Sequence, residues 1–399
     1  MSKFLWALLI VTLPAAAYSQ SADFDGNGRI DLDDFFLFVD AFGGAESRFD
    51  LNGNGQVNLD DFLLFVDDFG TQTTEPNQPL PAAVIDITDA LFTNRSADCR
   101  QYVNDYSSQV TDLGRNLSFS GELSIIIDDD TCLIAANAIP NHDFNQTDSF
   151  ATPTSPQEVT YQITATPAPA DAPTELAMGS NAVFLNGVKL DLLAAACYGV
   201  GNEPLGREKI GCGPEQLGNP WRYDPMSPLN GFGTDAHNAH TQPDGTYHYH
   251  GDPKAMFAGD CSTAGTPSPV IGFAADGFPI YGSCIADNGT VRKAIPSYVL
   301  KNAGGPRQPV AGYATPVAGQ GTIAGANYNG QFRGDFEYVE GAGDLDACNG
   351  MSVDGQYGYY ITDSYPWVMN CFTGTPDPSF SPAGPGGGGG PPGGGPPRR

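Results

Sequence analysis

A chain of 399 residues is long enough for one large domain or two smaller ones, each with a core of its own. Its 46 acidic side chains against 18 basic ones give a formal net charge of −28, which excludes a nucleic-acid surface built from clustered Lys and Arg. The same excess suits divalent cations, and twelve of the carboxylates fall within residues 23–68, beside two arginines.

The chain opens on Lys3, an apolar run over residues 4–13, then Pro14 and Ala15-Ala16-Ala17. These are the three parts of a secretory signal, placed at residues 1–19, and they predict a secreted or periplasmic protein. The apolar run is too short to span a bilayer, and no later segment approaches the roughly 20 apolar residues a span requires. No membrane span is predicted.

Residues 23–43 and 50–70 form an internal repeat, DFDGNGRIDLDDFFLFVDAFG over DLNGNGQVNLDDFLLFVDDFG, with 14 identities in 21 positions. A calcium loop takes oxygen ligands at positions 1, 3, 5, 7, 9 and 12 and a glycine at 6, where the backbone turns sharply around the ion. The first repeat supplies Asp23, Asp25, Asn27, Gly28, the Arg29 carbonyl, Asp31 and Asp34 in that register. The second supplies Asp50, Asn52, Asn54, Gly55, the Gln56 carbonyl, Asn58 and Asp61. Ile30 and Val57 occupy position 8, where a small strand pairs two such loops. Position 12 is Asp in both, one methylene shorter than the usual Glu. After each loop Phe35, Phe38, Val39, Phe42 and Phe62, Phe65, Val66, Phe69 recur at helical spacing, so each unit reads as a loop followed by a helix, the two helices burying these faces together. Phe36, Leu37, Leu63 and Leu64 fall off that face.

This loop-then-helix repeat over residues 20–70 resembles the dockerin module. The resemblance implies a small α-helical, calcium-binding unit with two Ca2+ sites and a cohesin-like protein partner. A second reading has the metal serving only to fold a module too small to build a sufficient core unaided. The stretch TQTTEPNQPLP that follows reads as a linker over residues 71–82.

From residue 83 to 374 short apolar runs alternate with turn residues, a strand-rich pattern that predicts a mainly β domain. VIGFAADGFPIYG reads as a hairpin about Asp276-Gly277, with Pro279 placing its second run at an edge or making it irregular. Residues 190–196 read as one short helix. Eight cysteines, Cys99, Cys132, Cys197, Cys212, Cys261, Cys284, Cys348 and Cys371, follow the signal without a CxxC pair, so disulfides are the expected use. Eight cysteines allow 105 pairings, of which sequence-neighbour pairing gives four loops of moderate length.

Four of the five histidines, His237, His240, His248 and His250, sit in DAHNAHTQPDGTYHYHG. In Tyr247-His248-Tyr249-His250 a strand sends both histidines to one face and both tyrosines to the other. The Asp244-Gly245 turn lets His237 and His240 fold back beside them, with Asp235 as a fifth donor. Such a set suits a transition metal, Cu or Zn among them. The same histidines can instead bond loop backbones and pack with tyrosines, or act with Asp235 as an acid-base pair.

The string NPWRYDP (219–225), YHYH, GFAADGFPIYG (272–282), LDACNG (345–350) and YYITDSYPWVMNCFTG (359–374) resembles the YHYH-domain proteins of exported bacterial chains over roughly residues 90–374. The resemblance implies an exported setting and no particular activity. Residues 375–399, mostly Pro and Gly, read as a disordered tail. No P-loop, dinucleotide fingerprint, GxSxG elbow or HExxH occurs, so nucleotide use and the common hydrolase mechanisms lack support. Three functions stay open. They are a secreted calcium- and transition-metal-binding protein, a metal- or histidine-dependent extracellular enzyme anchored by its repeats, and a structural surface protein without chemistry.

Overall fold

A computed structural model describes residues 22, 24, 29–30, 32–44, 47–52, 54–70, 84–201 and 211–381. The signal at 1–19, the linker at 71–82, the ligand positions Asp23, Asp25, Asn27 and Asp31, and the tail from 382 lie outside the described residues. The chain divides into two compact units, Met1–Pro81 and Ala82–Arg399.

In the first unit, helices α1 (Leu32–Ala41) and α2 (Leu59–Asp68) have the same length. Asn58 starts α2 as a capping box: its side chain accepts from the Asp60 N–H, while Asp61 returns a carboxylate oxygen to the Asn58 N–H. Phe38 and Phe65 are buried with Ile30, Phe49 and Val57, and Phe24 lies against Phe38, Phe49 and Phe65. The expected apolar face is narrower than its spacing implied. Val39, Phe42, Val66 and Phe69 are exposed, Phe42 and Phe69 because the helices end at Ala41 and Asp68. The position-8 residues bond across the repeat in another way than expected. The Val57 carbonyl accepts from Gly43 N and the Ile30 carbonyl from Gly70 N, so each loop is tied to the glycine that follows the other repeat's helix.

The second unit is mainly β. Its five-stranded sheet runs in chain order, β1 (Ile85–Asp86), β2 (Asn104–Asp112), β3 (Leu117–Asp128), β4 (Thr131–Ala136) and β5 (Val159–Thr164). Alternate residues Val110, Leu123, Ile125, Ile134, Tyr161 and Ile163 point inward, as a half-buried antiparallel sheet requires. They share one core with an eight-stranded mixed sheet. That sheet is built from β6 (Ala182–Phe184), β7 (Lys189–Leu190), β8 (Ala239–Thr241), β9 (Tyr247–Tyr249), β10 (Val270–Ala274), β11 (Pro279–Tyr281), β12 (Gly350–Val353) and β13 (Gln356–Tyr360). The spatial order is β12-β13-β11-β10-β6-β7-β9-β8.

The hairpin about Asp276-Gly277 joins β10 to β11, with Gly277 at φ +86° where a Cβ would meet Thr164. Pro279 is not at an edge, however. It opens β11, which pairs with β10 on one side and β13 on the other, and the register slips between Val270 and Gly272. Residues 190–196 are not a helix: Leu190 closes β7, and Asp191 N donates to the Tyr249 carbonyl. All eight cysteines are paired, Cys99–Cys132, Cys197–Cys212, Cys261–Cys284 and Cys348–Cys371, each with its neighbour in sequence. The expected tail begins inside the fold, since Phe380 is buried with its ring 4.7 Å from that of Tyr161. No described helix is long and apolar enough to cross a membrane.

Candidate metal centre

The chain crosses from β8 to β9 through the Asp244-Gly245 turn, in which Gly245 has φ +88° and lies too close to Ser155 for any side chain. This sets His240 directly opposite His248, and the parallel pairing of β9 with β7 sets His248 beside Lys189 and Tyr249 beside Leu190. Side chains alternate between faces along a strand. One face therefore carries His240, Gln242, His248, His250, Lys189 and Asp191, and the other carries Tyr247 and Tyr249, both fully buried in the core.

Ligand nitrogens of His240, His248 and His250 all lie within 4.8 Å of one another. Each ring is held by its Nδ1 against a backbone carbonyl: His240 on Phe232 at 2.5 Å, His250 on Asp191 at 2.5 Å, and His248 on Thr246 at 3.3 Å. A carbonyl only accepts, so each Nδ1 is the donor and each Nε2 carries a lone pair. His240 Nε2 and His250 Nε2 are 3.1 Å apart. Two nitrogens on a tetrahedral ion with bonds of ~2.05 Å sit about 3.3 Å apart, so this spacing needs little adjustment. Burial, and then the neighbouring imidazoles, push His248 and His250 well below the usual histidine range, and burial lowers His240. All three stay neutral, the state a metal ligand requires. Their donor set and their carbonyl-anchored rings fit a divalent transition metal with a fourth position open.

The two remaining expected donors lie elsewhere. His237 lies in the turn before β8, where Asn238 has φ +58°; its Nδ1 faces the Pro253 carbonyl at 2.8 Å and its ring lies tilted against His142 with centroids 3.7 Å apart. Asp235 is not among the three converging residues, and its oxygens are engaged by protein donors. Its Oδ1 receives the N–H groups of His237 and Ala239, and its Oδ2 receives Tyr247 OH at 3.0 Å and Asn145 N at 3.1 Å. The fifth histidine, His142, which the motif did not point to, accepts Tyr249 OH on Nε2 at 2.6 Å, and burial pushes it down to about 3.

Residues 189–191, also unmarked in the sequence, border the centre. Lys189 Nζ donates to Gln242 Oε1 at 3.0 Å and Gln242 Nε2 donates to Asp191 Oδ2 at 3.1 Å. Burial lowers the Lys189 ammonium and raises the Asp191 carboxyl to about 6, with Lys189 opposing the rise. Lys189 and Gln242 also line a cavity of 270 Å³ with Tyr161, Ser180 and Thr246.

In the second repeat Asp50 Oδ1 and Oδ2 receive Asn54 N and Gly55 N, Asn52 Oδ1 receives Asn54 N, and Asn54 Oδ1 receives Gln56 N. Gly55 has φ +87°, the sharp turn of position 6. Asp61 is fully buried, and Asn58 caps α2. Of the first repeat, Arg29 and Asp34 are described; Asp34 Oδ1 receives Phe24 N at 2.6 Å.

A family model described as "YHYH protein" matches residues 160–374, and the chain belongs to this family of YHYH-domain proteins. The match begins within β5 and takes in the whole histidine face. No curated protein matches the chain. A solved structure described as a type II cohesin-dockerin domain from Bacteroides cellolosolvens is 28% identical over 15% of this chain and 98% of that one, at a TM-score of 0.13, a value that says nothing of shared architecture.

Proposed function

We propose that this is an exported metal-binding protein whose YHYH domain holds one transition-metal ion, Cu or Zn, on His240 Nε2, His248 Nε2 and His250 Nε2. The observation that carries this reading is the convergence of three neutral imidazoles whose Nδ1 atoms are all engaged by carbonyls. His142, by contrast, has its Nδ1 on the Asp143 carbonyl and its Nε2 on Tyr249 OH, which leaves no ring lone pair for an ion. The repeats over residues 20–70 bind two Ca2+ ions in this reading, the second through Asp50, Asn52, Asn54, the Gln56 carbonyl and Asp61. The exposed Phe36, Leu63 and Leu64 remain available to a protein partner. Four disulfides accord with an oxidising compartment outside the cytosol. The test is metal uptake by untagged protein. Zn2+ or Cu2+ should bind one per chain, and His248→Ala with His250→Ala should abolish it while calcium binding persists.

A further inference from the structure

On the outer face of the five-stranded sheet a groove of 580 Å³ runs across the strands. Register fixes its floor. Asp105 pairs with Ser124, Ser124 with Ala135 and Ala135 with Thr160, so these four form one row, and Val84, just before β1, extends it past β2. All five line the groove, and each alternates with a core residue such as Leu123, Ile134 or Tyr161. The next outward positions along the strands set Ser107 opposite Glu122, with Asn137 and Glu158 beyond. Strands stand about 4.8 Å apart, so the row from Asp105 to Thr160 spans about 14 Å. Its middle holds only Ser124 and Ala135, which keeps the floor low.

The charge of this lining has one sign. Asp105, Glu122 and Glu158 are exposed, and among the described residues their carboxylates make no hydrogen bond or ion pair. The hydroxyls of Ser107, Ser124 and Thr160 make none either. No Lys or Arg lines the groove. An anionic polymer would therefore meet three unpaired carboxylates and no cation. An extended peptide laid across the strands would leave its own N–H and C=O groups unpaired, because the backbone groups beneath are spent on the β2-β3-β4-β5 ladder. A ligand read through carboxylates and hydroxyls alone is polyhydroxylated and positively charged.

We infer that this groove binds a linear amino-glycan, a sugar chain whose ammonium groups face Asp105, Glu122 and Glu158 and whose hydroxyls face Ser107, Ser124 and Thr160. No histidine lines it, so the site stands apart from the histidine centre and needs no metal there.

The experiment is isothermal titration of the full-length protein at pH 6 with a β-1,4-linked glucosamine tetramer. Wild type should bind it, with affinity falling as salt rises. Glu122→Gln with Glu158→Gln should weaken binding about tenfold, the sum of two exposed charge pairs. Ala135→Trp, at an exposed strand position, fills the floor without touching the core and should abolish binding. Wild type that does not bind the tetramer overturns the proposal, as does Ala135→Trp protein that binds it unchanged. Tetralysine bound as tightly as the glycan also overturns it, since charge alone would then account for the affinity. If Ala135→Trp fails to fold, the double glutamine variant decides, and unchanged affinity in it overturns the proposal.

Discussion

His240 and His250 face each other with Nε2 atoms 3.1 Å apart, while the Nδ1 of each donates to a carbonyl, that of Phe232 and that of Asp191. Two lone pairs therefore point at one another in a site where burial opposes protonation of either ring. On the proposed reading, a cation between them would remove the repulsion and take up the third lone pair, on His248. Binding to the folded chain alone stabilises it by mass action, about 3 kcal/mol at a hundredfold excess over Kd. Differential scanning calorimetry should show Zn2+ raising the melting temperature of the wild type, with no rise in His240→Ala.

His142 sets a pH dependence. Its folded pKa of about 3 lies below the ordinary value of 6.5, with burial the main cause and His237 adding to it. Between those values the unfolded chain binds one proton more than the fold, so stability is present above pH 6.5 and is lost as pH falls toward 3. For this group alone the loss is about 2 kcal/mol by pH 5. His142→Gln keeps an acceptor for Tyr249 OH and cannot protonate. Urea unfolding at pH 7 and pH 5 should show a correspondingly smaller loss for the variant; equal losses would place the titrating group elsewhere.

The Cys99–Cys132 bond ties a short 3-10 helix to β4 across 33 residues. Closing a loop of that length contributes roughly 3–4 kcal/mol through the unfolded state. Replacing both cysteines by serine should lower the urea midpoint accordingly, and thiol titration of the unfolded wild type without reductant should find no free thiol.

A fragment spanning residues 20–75 should gain helicity on adding calcium, because the loop oxygens gather only in the folded unit. Asp50→Ala should weaken that response, since both its carboxylate oxygens hold the second loop. Circular dichroism unchanged by calcium in the wild-type fragment would remove the calcium reading.

The strand period made part of the histidine face legible in the sequence. Tyr247 to His250 alternate in and out, and the Asp244-Gly245 turn places His240 opposite His248. The period does not reach His237, because β8 begins at Ala239 and Asn238 at φ +58° turns the chain just before it. Lys189 and Asp191 were not legible, because they reach the face through a parallel pairing with a strand some 59 residues on, which no local pattern encodes. His142 meets Tyr249 across 107 residues for the same reason. In the repeats helical spacing marked Phe38 and Phe65 as core, but it could not say that Val39 and Val66 would stay exposed.

Elemental analysis of untagged full-length protein, after dialysis against a slight excess of Zn2+ and then against metal-free buffer at pH 7, tests the central claim most directly. The three-histidine account predicts one zinc per chain in the wild type, one in His237→Ala and in Asp235→Asn, and none when His248 and His250 are both replaced by alanine. Folded wild type that retains no zinc, and no copper in the parallel experiment, would contradict it.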